Sequence, residues 1–236
     1  MSDVRCLVVC EGSSDYSVIA GIIKEIGRLK GKNFKSILLA PELDATSGRY
    51  EKFGYEGVKN WCRYHNCQYA QLGRNKIASL LAWHSADLVF IHLDADIADN
   101  IALEDLLFSG EIKDRKDWCC RALDLWLGAI QSQVKCFFIV PTMQIETWLL
   151  ATFDNITNPD VFSVELADYE LVIDVEKKLL AIGYDVYKEK PGRIYKEKSL
   201  YENDSRYVPR LINKLDVASS RCQELTNFMR IIESNF

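Results

Sequence analysis

The segment Asp87-Leu88-Val89-Phe90-Ile91-His92-Leu93-Asp94-Ala95-Asp96 constrains the fold more than any other part of the chain. Its apolar run, Leu88 to Leu93, has strand length and is broken only by His92. That is the pattern of a strand buried on both faces of a sheet, as in parallel sheets with helices on either side. The run passes directly into Asp94 and Asp96, with Asp99 three positions further on. Residues two apart on a strand point the same way, so Asp94 and Asp96 are expected to aim at one point beyond the strand's end. In open α/β sheets, ligands bind at the carboxyl ends of strands. Clustered carboxylates repel one another and favour a cation, and hard oxygen donors suit Mg²⁺ or Mn²⁺. The alternative is that Asp-x-Asp opens a solvated loop.

A second strand of the same kind stands at the start. Arg5 to Cys10 is apolar, and Glu11-Gly12-Ser13-Ser14-Asp15 leads from it into the periodic stretch Tyr16 to Ile23. Ser13 or Ser14 is the expected N-cap, and Asp15 in the first turn suits the helix dipole. Glu11 has a weaker structural explanation, because a strand rarely ends by chance in a Glu followed by a tight Gly turn. It repeats the device at Asp94, an acid at the tip of a parallel strand.

Further strands are expected over Lys35–Pro41 and Val134–Val140, with helices over Gly57–His65, Asn75–Trp83, Trp118–Gln133 and Met143–Ala151. This βαβ alternation implies a doubly wound, mostly parallel sheet. Glu146 lies in a helix that is apolar on most sides, where a carboxylate is costly unless it is ion-paired or bound to a cation. Cys62-Arg63-Tyr64-His65-Asn66-Cys67 has no second Cys/His pair at zinc spacing, so a structural zinc site is not expected. Cys119-Cys120 reads as core packing.

After Asp154 the texture changes. A polar connection over 155–164 precedes an amphipathic helix over Tyr169–Ile182, and two closing helices are expected over Arg206–Leu215 and Ala218–Ile232. Between them Lys188, Lys190, Arg193, Lys196 and Lys198 interleave with Tyr187 and Tyr195. Such a stretch suits phosphate contacts and base stacking, or else is a solvated loop. The division expected is a domain over 1–153 with a helical extension over 154–236 packed on it.

With 236 residues, 48% hydrophobic and 27% charged, the chain has the composition of a soluble globular protein with a full core. No apolar run approaches the roughly 20 residues that span a bilayer. The start lacks a signal-peptide pattern, so the eight cysteines are expected to be reduced thiols in a cytoplasm. The formal charge of −5 argues against a basic nucleic-acid coat without excluding a local basic patch.

Glu11-Gly12-x-x-Asp15 after a first strand, then Asp94-x-Asp96 after a later one, resembles the TOPRIM domain of topoisomerases, primases and OLD-type nucleases. The segment Glu146-Thr147-Trp148-Leu149-Leu150-Ala151 and the terminal Ala218-Ser219-Ser220-Arg221-Cys222 resemble small stand-alone bacterial TOPRIM-like proteins. The chain departs from the topoisomerase pattern in having no Gly-His after the second acid and none of the gate, winged-helix or zinc parts that strand passage and primer synthesis need.

The resemblance implies a Rossmannoid TOPRIM-like sheet and a Mg²⁺- or Mn²⁺-dependent nuclease that cuts DNA or RNA. Glu11, Asp94 and Asp96 would be catalytic and metal-binding, with Asp99 and Glu146 as further ligands. Stand-alone relatives of OLD-type nucleases act in defence against phage, often beside an ATPase. With no G-x-x-x-x-G-K-[ST] here, that ATPase would be a separate partner. The competing expectations are a TOPRIM-like binding or regulatory module that does not cut, and a phosphotransferase or nucleotide hydrolase on the same scaffold.

Overall fold

A computed structural model describes residues 4–42, 53–66, 76–128, 135–162, 166 and 168–235. Cys67, Asn75, Val134, residues 43–52 and the expected helix end at 129–133 lie outside these.

The alternation of strand and helix produces one parallel sheet. Strands β1 (Val4–Val9), β2 (Phe34–Ala40), β3 (Leu88–His92) and, after a two-stranded hairpin of β4 (Ala102–Leu103) and β5 (Leu106–Leu107), β6 (Cys136–Ile139) supply it. The order in the sheet is β2-β1-β3-β6, with every pair parallel. No strand is expected from the sequence at the β4–β5 hairpin, because two-residue strands carry no periodicity.

Side chains alternate between two apolar layers, which is why the strands read as unbroken apolar runs. Cys6, Val8, Leu88 and Phe90 face one layer, with α1 (Ser13–Leu29), α5 (Glu146–Leu150) and helices after residue 154. Leu7, Val9, Val89 and Ile91 face the other, with α2 (Gly54–Tyr64), α3 (Lys76–His84) and α4 (Arg115–Leu127). Burying such side chains contributes about 1.5–3 kcal/mol each.

The C-terminal segment is helical and joins the first layer. It comprises α6 (Val175–Ile182), α7 (Lys198–Asn203), α8 (Val208–Asn213), α9 (Leu215–Arg221) and α10 (Gln223–Asn235). Where two closing helices are expected there are three, since Lys214 and Cys222 depart from helical backbone. The helix expected from Tyr169 starts at Val175, after a 3-10 turn at Tyr169–Leu171. Among the described residues no helix is long and apolar enough to cross a membrane. The described cysteines are free thiols, all but Cys120 buried. His65 stacks on Trp61 and its Nδ1 lies 2.8 Å from the Trp61 carbonyl, a packing role.

Candidate active site

The sheet order places the site. The chain runs from β1 outward to β2, then returns to β3 on the other side of β1. The switch point of the sheet is therefore the crevice between the carboxyl ends of β1 and β3, where open α/β sheets bind ligands. Val9 pairs with Ile91, so Glu11 and Asp94 emerge side by side at that edge. A hydrogen bond joins them directly: the Asp94 backbone N–H donates to Glu11 Oε1 at 2.8 Å.

The local geometry past β3 differs from the strand-based expectation. The strand ends at His92, Asp94 is the N-cap of a 3-10 helix over Ala95–Asn100, and Asp96 lies within it. Asp94 and Asp96 still act strongly on one another, through the turn rather than through strand parity. Asp99 sits at the exposed end of that helix and pairs with Arg115 Nη2 at 2.5 Å. Arg115 Nη1 also donates to the Asp96 carbonyl at 3.2 Å, so Asp99 helps hold the turn.

Asp94 links β3 to the start of α5. Its Oδ1 accepts from the Ile145 N–H at 2.8 Å and lies 3.2 Å from His92 Nε2, an ion-pair distance without hydrogen-bond alignment. Glu146 follows in the first turn of α5 and is wholly buried. Its Oε1 accepts from the Tyr201 hydroxyl at 2.8 Å and lies 2.9 Å from Lys196 Nζ, while Oε2 has no hydrogen-bond partner among the described residues. Glu146 is thus both a salt-bridge partner and a member of the acid cluster, since it acts on Asp15 and Asp96.

At the N-terminus of α1, Gly12 rather than a serine is the N-cap, and its side-chain-free approach leaves Ser13, Ser14 and Asp15 in the first turn. Glu11, Gly12, Ser13, Ser14, Asp15, Phe53, Asp94 and Lys196 enclose a cleft of about 270 Å³. Asp15, read from sequence as a helix-dipole residue, is buried among these charges.

The electrostatics follow from enclosure. Burial, then repulsion from Asp94 and Asp15, pushes the Glu11 carboxyl well above its usual range. Burial pushes Asp15 up to about 7, with His92 opposing and Asp94 and Glu146 reinforcing. Burial and Asp94 push Asp96 up to about 7 against the pull of Lys196. For His92 burial works the other way, but Asp94, Asp15 and Glu11 outweigh it and lift the imidazole to about 9. The acids bind protons tightly because burial and their mutual repulsion outweigh the positive charge of Lys196 and His92.

Of the residues singled out in the sequence, Glu11, Asp94, Asp96, Glu146 and Lys196 act on one another, and Asp99 turns to Arg115. Lys188 and Lys190 are exposed on a hairpin closed by a bridge between Val186 and Ile194. Arg193 pairs with Glu176 at 3.2 Å, and Lys198 lies 3.8 Å from Glu202. Tyr187 and Tyr195 stack on the hairpin with ring centroids 5.9 Å apart. His92, Asp15, Glu176 and Tyr201 were missed as site residues. His92 left a signal as the polar residue inside an apolar run, and Asp15 left one as the last residue of Glu11-Gly12-x-x-Asp15.

The donor set suits a hard divalent cation. Glu11 Oε2, Asp94 Oδ2 and the Asp96 carboxylate accept no hydrogen bond among the described residues. As they stand, however, no three His, Cys, Asp or Glu side chains among the described residues converge on one ion position. The positive charge inside the cluster comes from Lys196 and His92.

No family model, curated protein or solved structure matches the chain. The chemical reading therefore rests on the residues themselves.

Proposed function

We propose that the chain is a Mg²⁺- or Mn²⁺-dependent TOPRIM-like nuclease that hydrolyses phosphodiesters of DNA or RNA. The observation that carries this reading is the direct junction of Glu11 and Asp94 at the switch point of a parallel sheet, in a cleft with surplus carboxylate. Glu11, Asp94 and Asp96 are the residues to hold an ion, with Glu146 behind them. A bound divalent ion would polarise the phosphate and stabilise the leaving oxygen.

The chain's own groups supply the rest. Glu11, whose carboxyl is pushed upward by burial and by Asp94, is the group placed to exchange a proton with water or with a 3′ oxygen. Lys196, lining the same cleft, can neutralise charge developing on the phosphate. The exposed Lys188 and Lys190, with the Tyr187–Tyr195 stack, offer a surface to the nucleic-acid backbone and bases. The resemblance further suggests a role in defence against phage, beside a separate ATPase partner.

The second reading is a TOPRIM-like binding module that does not cut. It is favoured by the absence, among the described residues, of three ligands that converge as they stand. Labelled single- and double-stranded DNA and RNA, incubated with Mg²⁺, Mn²⁺ or EDTA, separate the two. The nuclease reading expects divalent-dependent cleavage that falls about 10²–10⁴-fold in Glu11→Gln, as for loss of a general acid or base. Binding without cleavage under every condition would favour the module.

A further inference from the structure

Lys196 enters the acid cluster from more than 180 residues beyond Glu11, on the end of the 185–196 hairpin. The hairpin is held by its own ladder, Tyr187 N–H to the Arg193 carbonyl at 2.9 Å and Tyr195 N–H to the Asp185 carbonyl at 2.7 Å. Its base is clasped by Glu176 on α6, whose Oε2 accepts from the Ile194 N–H at 3.1 Å. From that base the Lys196 ammonium reaches Glu146 Oε1 at 2.9 Å and Glu176 Oε1 at 3.4 Å, and the side chain lines the cleft with Glu11, Asp15 and Asp94.

The arrangement has unmet demand. Glu146 is wholly buried, yet Oε2 has no hydrogen-bond partner among the described residues, and a buried carboxylate oxygen left unpaired is a costly feature. A single ammonium is asked to balance Glu146, Asp15 and Asp94 together. Lys196 is also the member of the cluster best able to leave. A third of its side-chain surface is exposed, its stem is flexible, and Glu176 stands by as a second acceptor. A divalent ion at Glu11 and Asp94 would repel the ammonium, which lines the same cleft and is held there by Glu146 and Glu176.

We infer that Lys196 is a tethered counter-ion of this cluster, and that its ammonium and a divalent cation exclude one another from the cleft they share, so that ion entry loosens the 185–196 hairpin. The inference rests on the divalent-ion reading above and adds a regulator to it: the segment that bears the basic, tyrosine-rich surface also senses whether the ion is in place.

The experiment measures Mn²⁺ binding by calorimetry to the wild-type chain and to Lys196→Met, which keeps the apolar stem and removes the charge. Amide hydrogen exchange of the wild-type chain with and without Mn²⁺ is followed alongside, and it does not depend on the variant's folding. The variant is expected to bind Mn²⁺ at least about fivefold tighter, the lower end of typical coupling between sites. Exchange in residues 185–196 of the wild-type chain is expected to rise on Mn²⁺ addition. Equal or weaker binding by a folded Lys196→Met, or unchanged exchange in the Mn²⁺-bound wild type, overturns the inference while leaving the ion site intact. Absence of Mn²⁺ binding in both proteins overturns it together with the divalent-ion reading.

Discussion

Asp15, Asp96 and His92 are shifted in the same direction, and this gives the site a pH signature. Each has a folded-state pKa above its usual value: from 3.8 to about 7 for the two acids, and from 6.5 to about 9 for the imidazole. A group raised on folding contributes stability that is complete below its unfolded pKa and is lost as pH rises through the folded one. The acids therefore withdraw stability between about pH 4 and 7, and His92 between about 6.5 and 9. In EDTA, the melting temperature is expected to fall steadily from about pH 5 to 8. Asp15→Asn should flatten that fall, gaining on the wild type most at the alkaline end. A melting temperature that rose over this range would contradict the charge surplus. Burial sets the acids' shifts first, Asp94 and Glu146 add to them and Lys196 opposes them, while Glu11 and Asp94 help raise His92, so replacing any of these four changes the profile.

Packing of whole elements decides how close the acids can come. Helix α1 crosses α8 at Gly21, where an added Cβ would lie 2.6 Å from Val208 Cγ1. Gly21→Ala gains about 1 kcal/mol of helix propensity but overpacks the crossing, at about 1–3 kcal/mol. The net expectation is a less stable protein by denaturant unfolding, restored when Val208→Ala is added. A Gly21→Ala protein as stable as the wild type would mean that the two helices yield easily.

At this scale the sequence was informative where burial leaves a pattern. Leu88–Leu93 and Arg5–Cys10 read as double-faced strands because their alternate residues serve the two apolar layers. Glu11 and Asp94 were legible because acids at strand tips have no packing explanation. What was not legible depends on chain reversals that carry no period. The 3-10 turn that redirects Asp96 follows from the end of β3 at His92. The short α5 begins at Glu146, where Asp94 holds the Ile145 N–H. Lys196 and Tyr201 reach Glu146 only through tertiary folding. Ser13 and Ser14 were plausible caps, yet Gly12 takes that position with extended backbone beside the acids.

Across the whole molecule, the segment after residue 154 completes the chemistry begun by the sheet. It packs Tyr169, Tyr201, Tyr207, Leu211 and Phe228 into the same apolar layer as β1, α1 and α5. It also delivers to the acids the only lysine lining the described part of the cleft. On the function proposed above, the switch-point cleft is a divalent-cation centre. Anomalous diffraction from crystals soaked in Mn²⁺ tests this most directly. The expected result is a manganese peak between the Glu11 and Asp94 carboxylates, absent from Asp94→Asn crystals grown the same way. A saturating soak that leaves the cleft without a peak, or places manganese only at other acids, would contradict the claim.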